Sequence, residues 1–353
     1  MKTRVAVVGS GFGLYGLLPA FQRIPACEAV GICGKNSERL LNYCRQTAVP
    51  VFNDWRVMLD QCRPDALAVA VIPIHQHGIL SCAIERGISV LAEKPLAVNP
   101  AQAAALLEQA RAKKVAHMVD FLFPEIPEWR RAGELLRQDA IGRTLRFQAH
   151  WRFLSHDVKN KIQGWKTRPE EGGGALSFFV SHLFYNLEFF LGKIQSLQCR
   201  LDRAPEAPGP GETGVAMSVT CRNGCAGDVT FDCAFPGGHE HAWEFQGDAG
   251  SLTLEKTSAS FTRGFELTLH PKHGPKENIS VPAPAPDPSL YENVALVQSL
   301  AGRFIAWHRG AIPARPDFAD GVRVQQLIEL ARQSSARRQS VLCSPQLPMT
   351  NSQ

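Results

Sequence analysis

The sequence has no run of about eighteen consecutive apolar residues, the length a membrane-crossing helix needs, so no membrane span is expected. It carries little net charge. Its 38 Lys and Arg stand against 33 Asp and Glu, a balance of +5 with the 11 histidines neutral. That excess is spread along the chain and forms no block for nucleic acid, though it favours an anionic small ligand. Ten cysteines are scattered over 353 residues without disulfide-framework spacing, so reduced thiols in a cytoplasmic protein are expected. Lys2 and Arg4 precede an apolar run, as in a signal peptide, but the run is short and β-branched, stops at Gly9, and no clear small-x-small cleavage site follows. With 44% apolar and 20% charged residues the chain is neither disordered nor collagen-like, and its length suggests two domains.

The first third alternates strand-like and helix-like segments. Strands are expected at 4–8, 29–33, 66–72, 88–92 and 116–121, and helices at 14–23, 37–47, 54–61, 77–86 and 99–113. Near-continuous apolar strands separated by helices imply a doubly wound parallel sheet, an α/β domain. The character then changes. A helix at 129–138 is followed by 144–153, where Leu145, Phe147, Ala149 and Trp151 alternate with polar residues, the period of a half-exposed strand. An apolar helix is expected at 176–191. Strand-like segments at 194–203, 214–222, 225–235, 240–247, 250–256 and 260–270 are separated by Gly, Asn-Gly and Pro-rich turns, and two helices, 291–308 and 320–337, close the chain. This is an α+β domain with a large open, mainly antiparallel sheet. The division is placed at 1–122 and 123–353.

The segment Val5-Ala-Val-Val-Gly9-Ser-Gly11-Phe12-Gly13 joins a strand to a helix. Glycine there permits a tight turn and close approach of a pyrophosphate, which the helix N-terminus then meets with free N–H groups. The frame Gly9-x-Gly11 starts where the strand stops, although Leu14 fills its third site; Gly11-x-Gly13-x-x-Gly16 starts two residues late. The second strand ends in Ile32-Cys33 with no Asp or Glu, the residue that binds the ribose of NAD. Lys35 and Arg39 stand there instead and suit a 2′-phosphate, so NADP is favoured over NAD. The competing reading leaves both cations as surface charges and gives the ribose to Glu38.

Glu93-Lys94-Pro95 lies just past a buried strand, where ligands of open parallel sheets sit. Pro95 fixes φ, disfavours helix at Lys94 and suggests an unusual peptide geometry. His75 and His77 follow the strand expected at 66–72 and border the expected nicotinamide site; as a metal pair they lack a third ligand. Cys221 and Cys225 flank an Asn-Gly turn and read as strand residues, and His239, His241, His270 and His273 read as loop and strand surface. No metal site is expected.

At this point the sequence resembles the glucose–fructose oxidoreductase / inositol dehydrogenase / rhizopine-catabolism (Gfo/Idh/MocA) family over nearly its whole length. The resemblance rests on Gly9-x-Gly11-Phe12-Gly13, Pro73-x-x-x-His77, Glu93-Lys94-Pro95 and Ile141-Gly142-Arg143. It continues in Trp165-Lys166, Gly172-Gly-Gly-Ala-Leu, Ser181-His182 and Asp320-Gly-Val-Arg-Val-Gln. It implies a Rossmann domain, a C-terminal α/β domain whose sheet makes a homodimer or homotetramer, bound NAD(P), and hydride transfer at a hydroxyl or carbonyl carbon of a sugar, nucleotide-sugar or cyclitol. It also implies that Lys94 steadies charge on the substrate oxygen and that His182 handles its proton.

The departures are specific. Where many relatives carry Asp, four residues before and three after the histidine, this chain has Phe178 and Tyr185, and Val180 replaces a glycine. Asp120, Tyr185 or Lys166 is then the candidate to replace the missing carboxylate, and Phe178 with Phe179 forms an apolar wall. Trp165, Lys166 and Arg168 suit an acidic or phosphorylated sugar. Two other readings stay open: a catalytically altered member acting as sensor or partner subunit, and an NAD-dependent glycosidase working by transient oxidation.

Overall fold

A computed structural model of the chain describes residues 1–35, 37–282 and 287–343. It divides into two compact units. The first comprises Met1–Pro127, Pro169–Gly172 and Pro282–Gln326; the second comprises Glu128–Arg168, Gly173–Val281 and Leu327–Gln353. The chain leaves the first unit five residues past the division expected near 122, and it returns there twice.

The first unit begins with β1 (Thr3–Val8), α1 (Leu18–Gln22), β2 (Cys27–Cys33), α2 (Glu38–Thr47), β3 (Val51–Phe52) and α3 (Trp55–Cys62). It continues with β4 (Ala66–Val69), α4 (Pro73–Glu85), β5 (Ser89–Ala92), α5 (Pro100–Lys113) and β6 (His117–Val119). The strands form one parallel sheet in the order β3-β2-β1-β4-β5-β6, the doubly wound arrangement. Every residue of β4 is wholly buried and β5 is buried throughout, as both faces are covered by helices. Local signals start the helices. The Ser37 hydroxyl accepts from Leu40 N at 3.2 Å, Asp54 accepts from Arg56 N and Val57 N, and Asn99 accepts from Gln102 N at 2.9 Å ahead of Pro100.

The second unit contains α6 (Pro127–Arg137), β7 (Thr144–Arg152), α7 (His156–Lys159), α8 (Ser181–Leu191), β8 (Ile194–Asp202) and β9 (Gly214–Cys221). After these come β10 (Ala226–Asp232), β11 (Glu240–Gly247), β12 (Gly250–Lys256), β13 (Glu266–Pro271) and β14 (Glu277–Asn278). The chain ends with α9 (Val294–His308), α10 (Phe318–Arg337) and β15 (Val341–Leu342). Nine strands form a sheet ordered β14-β13-β12-β11-β7-β10-β9-β8-β15. It is antiparallel except that β7 and β10 run parallel. Helix α9 belongs to the first unit, where Val294, Val297, Leu300, Ala301 and Phe304 join Val5, Val7 and Phe21 in one apolar cluster.

The second unit's core is aromatic. Trp129 of α6 stacks on Phe190 at 5.4 Å and meets Trp243 edge-on at 5.7 Å; Trp151 of β7 lies parallel to His241 at 4.7 Å. His241 is therefore core and not strand surface, because the period-2 face of β11 carries His241, Trp243 and Phe245 inward together. Trp243 Nε1 donates to His241 Nε2 at 3.2 Å, and burial, aided by Lys256, holds the imidazole well below its usual pKa. His239 is half-buried and stacks on Phe153.

Other expectations are corrected at element ends. The helix expected from Leu14 opens with a wide π-type turn, Gly13–Leu17, before α1. Pro73 starts α4 four residues early, because proline suits the first turn of a helix. Leu145 lies on the exposed side of β7. Within 260–270 only the stretch from Glu266 is strand; Phe261 and Thr262 are covered by a turn. Of the loop at 282–288, residues 283–286 lie outside the described residues. The helical run Pro169–Leu191 is long and apolar enough to cross a membrane by composition, but its apolar window is 72% buried within the protein. All ten cysteines are free thiols, nine of them buried.

Trp243 is wholly buried among Trp129, Phe190 and Phe245. Trp243→Ala is expected to destabilise the second unit by about 3–5 kcal/mol. Guanidinium unfolding followed by circular dichroism checks this; a loss below about 1 kcal/mol contradicts the packing described.

Candidate functional site

The glycine turn follows from where β1 stops. Val8 is the last strand residue, and Gly9 turns the chain at φ +129°, a conformation side chains rarely adopt. A Cβ on Gly9 would lie 2.1 Å from the carbonyl oxygen of Ala70, just past the neighbouring β4. Strand order reverses here, with β2 on one side of β1 and β4 on the other, so a crevice opens beyond the strand ends. Gly11 differs: a Cβ there would meet no protein atom within 4 Å. No side chain caps the helical turn that begins after Phe12. Bare backbone, an uncapped N-terminus and open space fit a dinucleotide's pyrophosphate.

Around this turn the side chains are aromatic and cationic. Tyr15 packs edge-on against Phe12 at 5.7 Å and Tyr291 at 4.8 Å, and the Arg39 guanidinium lies 5.2 Å above the Tyr15 ring. Burial raises the Tyr15 hydroxyl, with Glu93 adding to it and Arg39 opposing. Lys35 is exposed just past β2, and Glu38 is the exposed first residue of α2. No carboxylate ends β2.

Two strands along, β5 delivers Glu93 and Lys94. The Lys94–Pro95 peptide is cis. Lys94 N donates to Glu93 Oε2 at 2.7 Å. Gln76 of α4, 1% exposed, aims its Nε2 at the carbonyls of Glu93 (2.7 Å), Pro95 (3.1 Å) and Leu96 (3.2 Å), fixing the segment from behind. Sequence reasoning missed Gln76, which stands between the two histidines it singled out. His77 is half-buried and His75 exposed on α4, while Pro73 is buried at the helix start.

Asp120 follows β6 directly, and its N–H donates to Ala92 O at 2.8 Å. Glu125 comes from the short turn Phe123–Glu125 and is held by Ser299 Oγ at 2.7 Å and by both Arg303 nitrogens of α9. Burial and the nearby Glu93 push the Asp120 carboxyl well above the usual carboxylate range, with Lys94 opposing and Glu125 adding to the rise. Burial likewise raises Glu93, again against the pull of Lys94.

In the second unit His182 is buried at the start of α8, directly after a π-type turn, Leu176–Val180. Such wide turns often mark functional sites, because they rotate the following residues off the regular helical face. The run before it is held against the Glu212 side chain. Gly174 has φ +82°, a Cβ there would lie 2.4 Å from Glu212, and Glu212 Oε1 accepts from Leu176 N at 2.9 Å. Phe178 packs on Trp165 (5.3 Å) and Phe179 (4.6 Å) beneath the Lys166 ammonium (5.0 Å). Lys166 also pairs with Asp157 at 4.0 Å. Phe178 and Phe179 thus stand in one aromatic group, with no carboxylate at 178. Tyr185 is half-buried on α8.

The first unit thus brings Gly9, Gly11, Glu93, Lys94 and Asp120 to the carboxyl ends of neighbouring strands, and the second gathers Trp165, Lys166 and Phe178. Among the described residues no three His, Cys, Asp or Glu side chains form a metal-binding group.

Residues 3–121 match the family model described as "Oxidoreductase family, NAD-binding Rossmann fold", and residues 129–253 match the GFO/IDH/MocA C-terminal domain. The chain is 27% identical over 345 residues to an uncharacterised oxidoreductase of Synechocystis, covering 94% of this chain and 93% of that one. It is 26% identical over 336 residues to levoglucosan dehydrogenase of Pseudarthrobacter phenanthrenivorans, covering 84% of each. A solved levoglucosan dehydrogenase in complex with NADH and L-sorbose superposes with a TM-score of 0.86 at 20% identity, over 98% of this chain and 100% of that one, a likeness of fold.

The two glycines make separable predictions. Gly9→Ala forces a clash with Ala70 and is expected to lower thermal stability along with nucleotide binding. Gly11→Ala meets no protein atom, so the melting temperature stays while NADPH and NADH affinity falls by about tenfold or more. Melting curves and fluorescence titration check both; unchanged affinity in Gly11→Ala removes the turn from the nucleotide site.

Proposed function

This chain belongs to the GFO/IDH/MocA family of oxidoreductases with an NAD-binding Rossmann fold, and we propose that it oxidises or reduces a sugar or cyclitol at Lys94. The observation that carries the reading is the placement of Lys94 past β5, on the same sheet edge as the Gly9–Gly11 turn past β1. The bound nicotinamide supplies a hydride acceptor or donor. Gly9, Gly11, Phe12 and Gly13 form its pyrophosphate turn, and Pro73, His77, Glu93 and Lys94 border the site along α4 and β5.

Lys94 steadies negative charge on the substrate oxygen as the carbon gains or loses hydride. His182, assigned by its position in the family's motif, gives or takes the oxygen's proton, which an imidazole does near neutral pH. Trp165, Phe178 and Tyr185 offer rings for the C–H faces of a sugar, and Lys166 suits an acidic substituent. The relative named for levoglucosan, an anhydrosugar, supports this class.

NADP is the preferred cofactor in this reading. Lys35 and Arg39 follow β2 where a ribose-binding carboxylate is missing, and a 2′-phosphate gains charge-assisted hydrogen bonds there. The protein works in the cytoplasm, in keeping with its free thiols, as a homodimer or homotetramer joined through the nine-stranded sheet. A second reading rests on Phe178. With aromatic packing where the family resemblance implies a carboxylate, the chain is an altered member that binds cofactor without turnover.

Two measurements separate these readings. In a 340 nm screen of sugars and cyclitols, turnover is expected to fall by about a hundredfold or more in Lys94→Ala and in His182→Ala, with cofactor affinity within about threefold of wild type. Turnover persisting in either variant removes that residue, and its absence from wild type across the panel favours the second reading. NADPH is expected to bind more tightly than NADH, with the gap shrinking in Lys35→Ala and Arg39→Ala; equal affinities overturn the NADP preference.

A further inference from the structure

Arg39 is an arginine held by its face alone. Its guanidinium lies 5.2 Å from the centre of the Tyr15 ring, and among the described residues no carboxylate or carbonyl takes its N–H groups. The residue is exposed, on the first turn of α2. An arginine stacked this way keeps its planar fork of donors free, the shape that meets two oxygens of a phosphate at once. A lone surface arginine samples many rotamers and loses that freedom when it binds. Stacking on a ring removes much of it before a ligand arrives.

The ring beneath the guanidinium is itself fixed. Tyr15 is half-buried in the helical turn Gly13–Leu17 and meets Phe12 edge-on at 5.7 Å and Tyr291 at 4.8 Å. Phe12 in turn lies against Gly16, where a Cβ would come within 2.5 Å of its ring. Tyr291 comes from the segment just ahead of α9, within the same unit. Three rings thus support one cation on α2. The end of β2 points the same way. A Cβ on Gly34, the first residue past β2, would lie 2.6 Å from Ser10 Cβ and 3.0 Å from Ser10 N, so no side chain fits there without moving the glycine turn. A carboxylate for the ribose of NAD is thereby kept from the end of the strand.

We propose that Tyr15 is a positioning residue that sets cofactor choice: its ring, backed by Phe12 and Tyr291, holds the Arg39 guanidinium ready for the 2′-phosphate of an adenosine moiety. Tyr15 acts through Arg39 and touches no phosphate itself. The inference rests on the NADP reading of Lys35 and Arg39 and adds to it the residue that makes Arg39 selective.

Two nucleotides without nicotinamide isolate this end of the site: adenosine 2′,5′-bisphosphate and 5′-AMP, each titrated into the full-length protein by calorimetry. The wild type is expected to favour the bisphosphate by about tenfold or more. In Tyr15→Leu that preference is expected to shrink by about threefold or more, with 5′-AMP affinity within about twofold of wild type. Tyr15→Phe, which keeps the ring, keeps the preference. In an Arg39→Ala background, adding Tyr15→Leu changes the preference no further, because the ring then has no guanidinium to hold. Melting temperatures report whether each variant is folded.

An unchanged preference in a folded Tyr15→Leu protein overturns the proposal. So does an equal loss for both nucleotides, which marks a merely structural ring, and so does a further loss of the same size in the Arg39→Ala background. Should Tyr15→Leu fail to fold, Tyr291→Ala removes a ring that backs Tyr15, and an unchanged preference there overturns the proposal in its place. No preference in the wild type overturns the NADP reading, and the inference falls with it.

Discussion

A lysine segment flanked by two carboxyl groups that water barely reaches, Asp120 and Glu125, is the arrangement on which the first unit turns. Charges removed from water are tolerated only when opposite charge or hydrogen bonds replace the lost solvation. Each carboxyl group near Lys94 meets that demand differently: Glu125 through Arg303 and Ser299, Glu93 through the backbone of Lys94, and Asp120, with no hydrogen-bond partner among the described residues, by favouring its neutral form. The parallel sheet makes this possible, because β5 and β6 end side by side and place consecutive loops in one plane. Gln76 then fixes the loop, so the ammonium is carried on a rigid support.

The nucleotide turn obeys a related constraint, in which backbone stands in for side chains. Gly9 exists because Ala70 leaves no room for a Cβ, whereas Gly11 keeps open space beside it. One glycine is thus required by the fold and the other leaves open space, though the sequence presents them as a single motif. Beside the turn, Arg39 over Tyr15 sets a cation near the sheet edge where phosphate is expected. In the second unit the π-type turn before His182 stays packed through the contact of Phe178 with Trp165.

The doubly wound sheet was legible because its strands are buried on both faces and read as apolar runs. The second sheet was legible through alternation, and Trp243 and Phe245 follow it faithfully. The same alternation carries His241 into the core, yet a histidine beside Glu240 reads as surface until the face is counted through. Gln76 gave no signal, since its work is done on carbonyls about twenty residues away in sequence. The Glu125–Arg303 pair spans a separation of 178 residues, and the return of α9 to the first unit depends on that long-range packing. Asp120 reads in the sequence as a candidate to replace the missing carboxylate; its burial, to 1% exposure, is a property of the folded chain alone.

Deuteride transfer tests the central claim most directly. The purified protein would be incubated with NADPH or NADH deuterated at the nicotinamide C4 and with a panel of keto-sugars and oxidised cyclitols, and the products read by mass spectrometry. The account predicts one deuterium on the new carbinol carbon of at least one compound. A protein that binds the labelled cofactor yet passes deuterium to no member of the panel contradicts it.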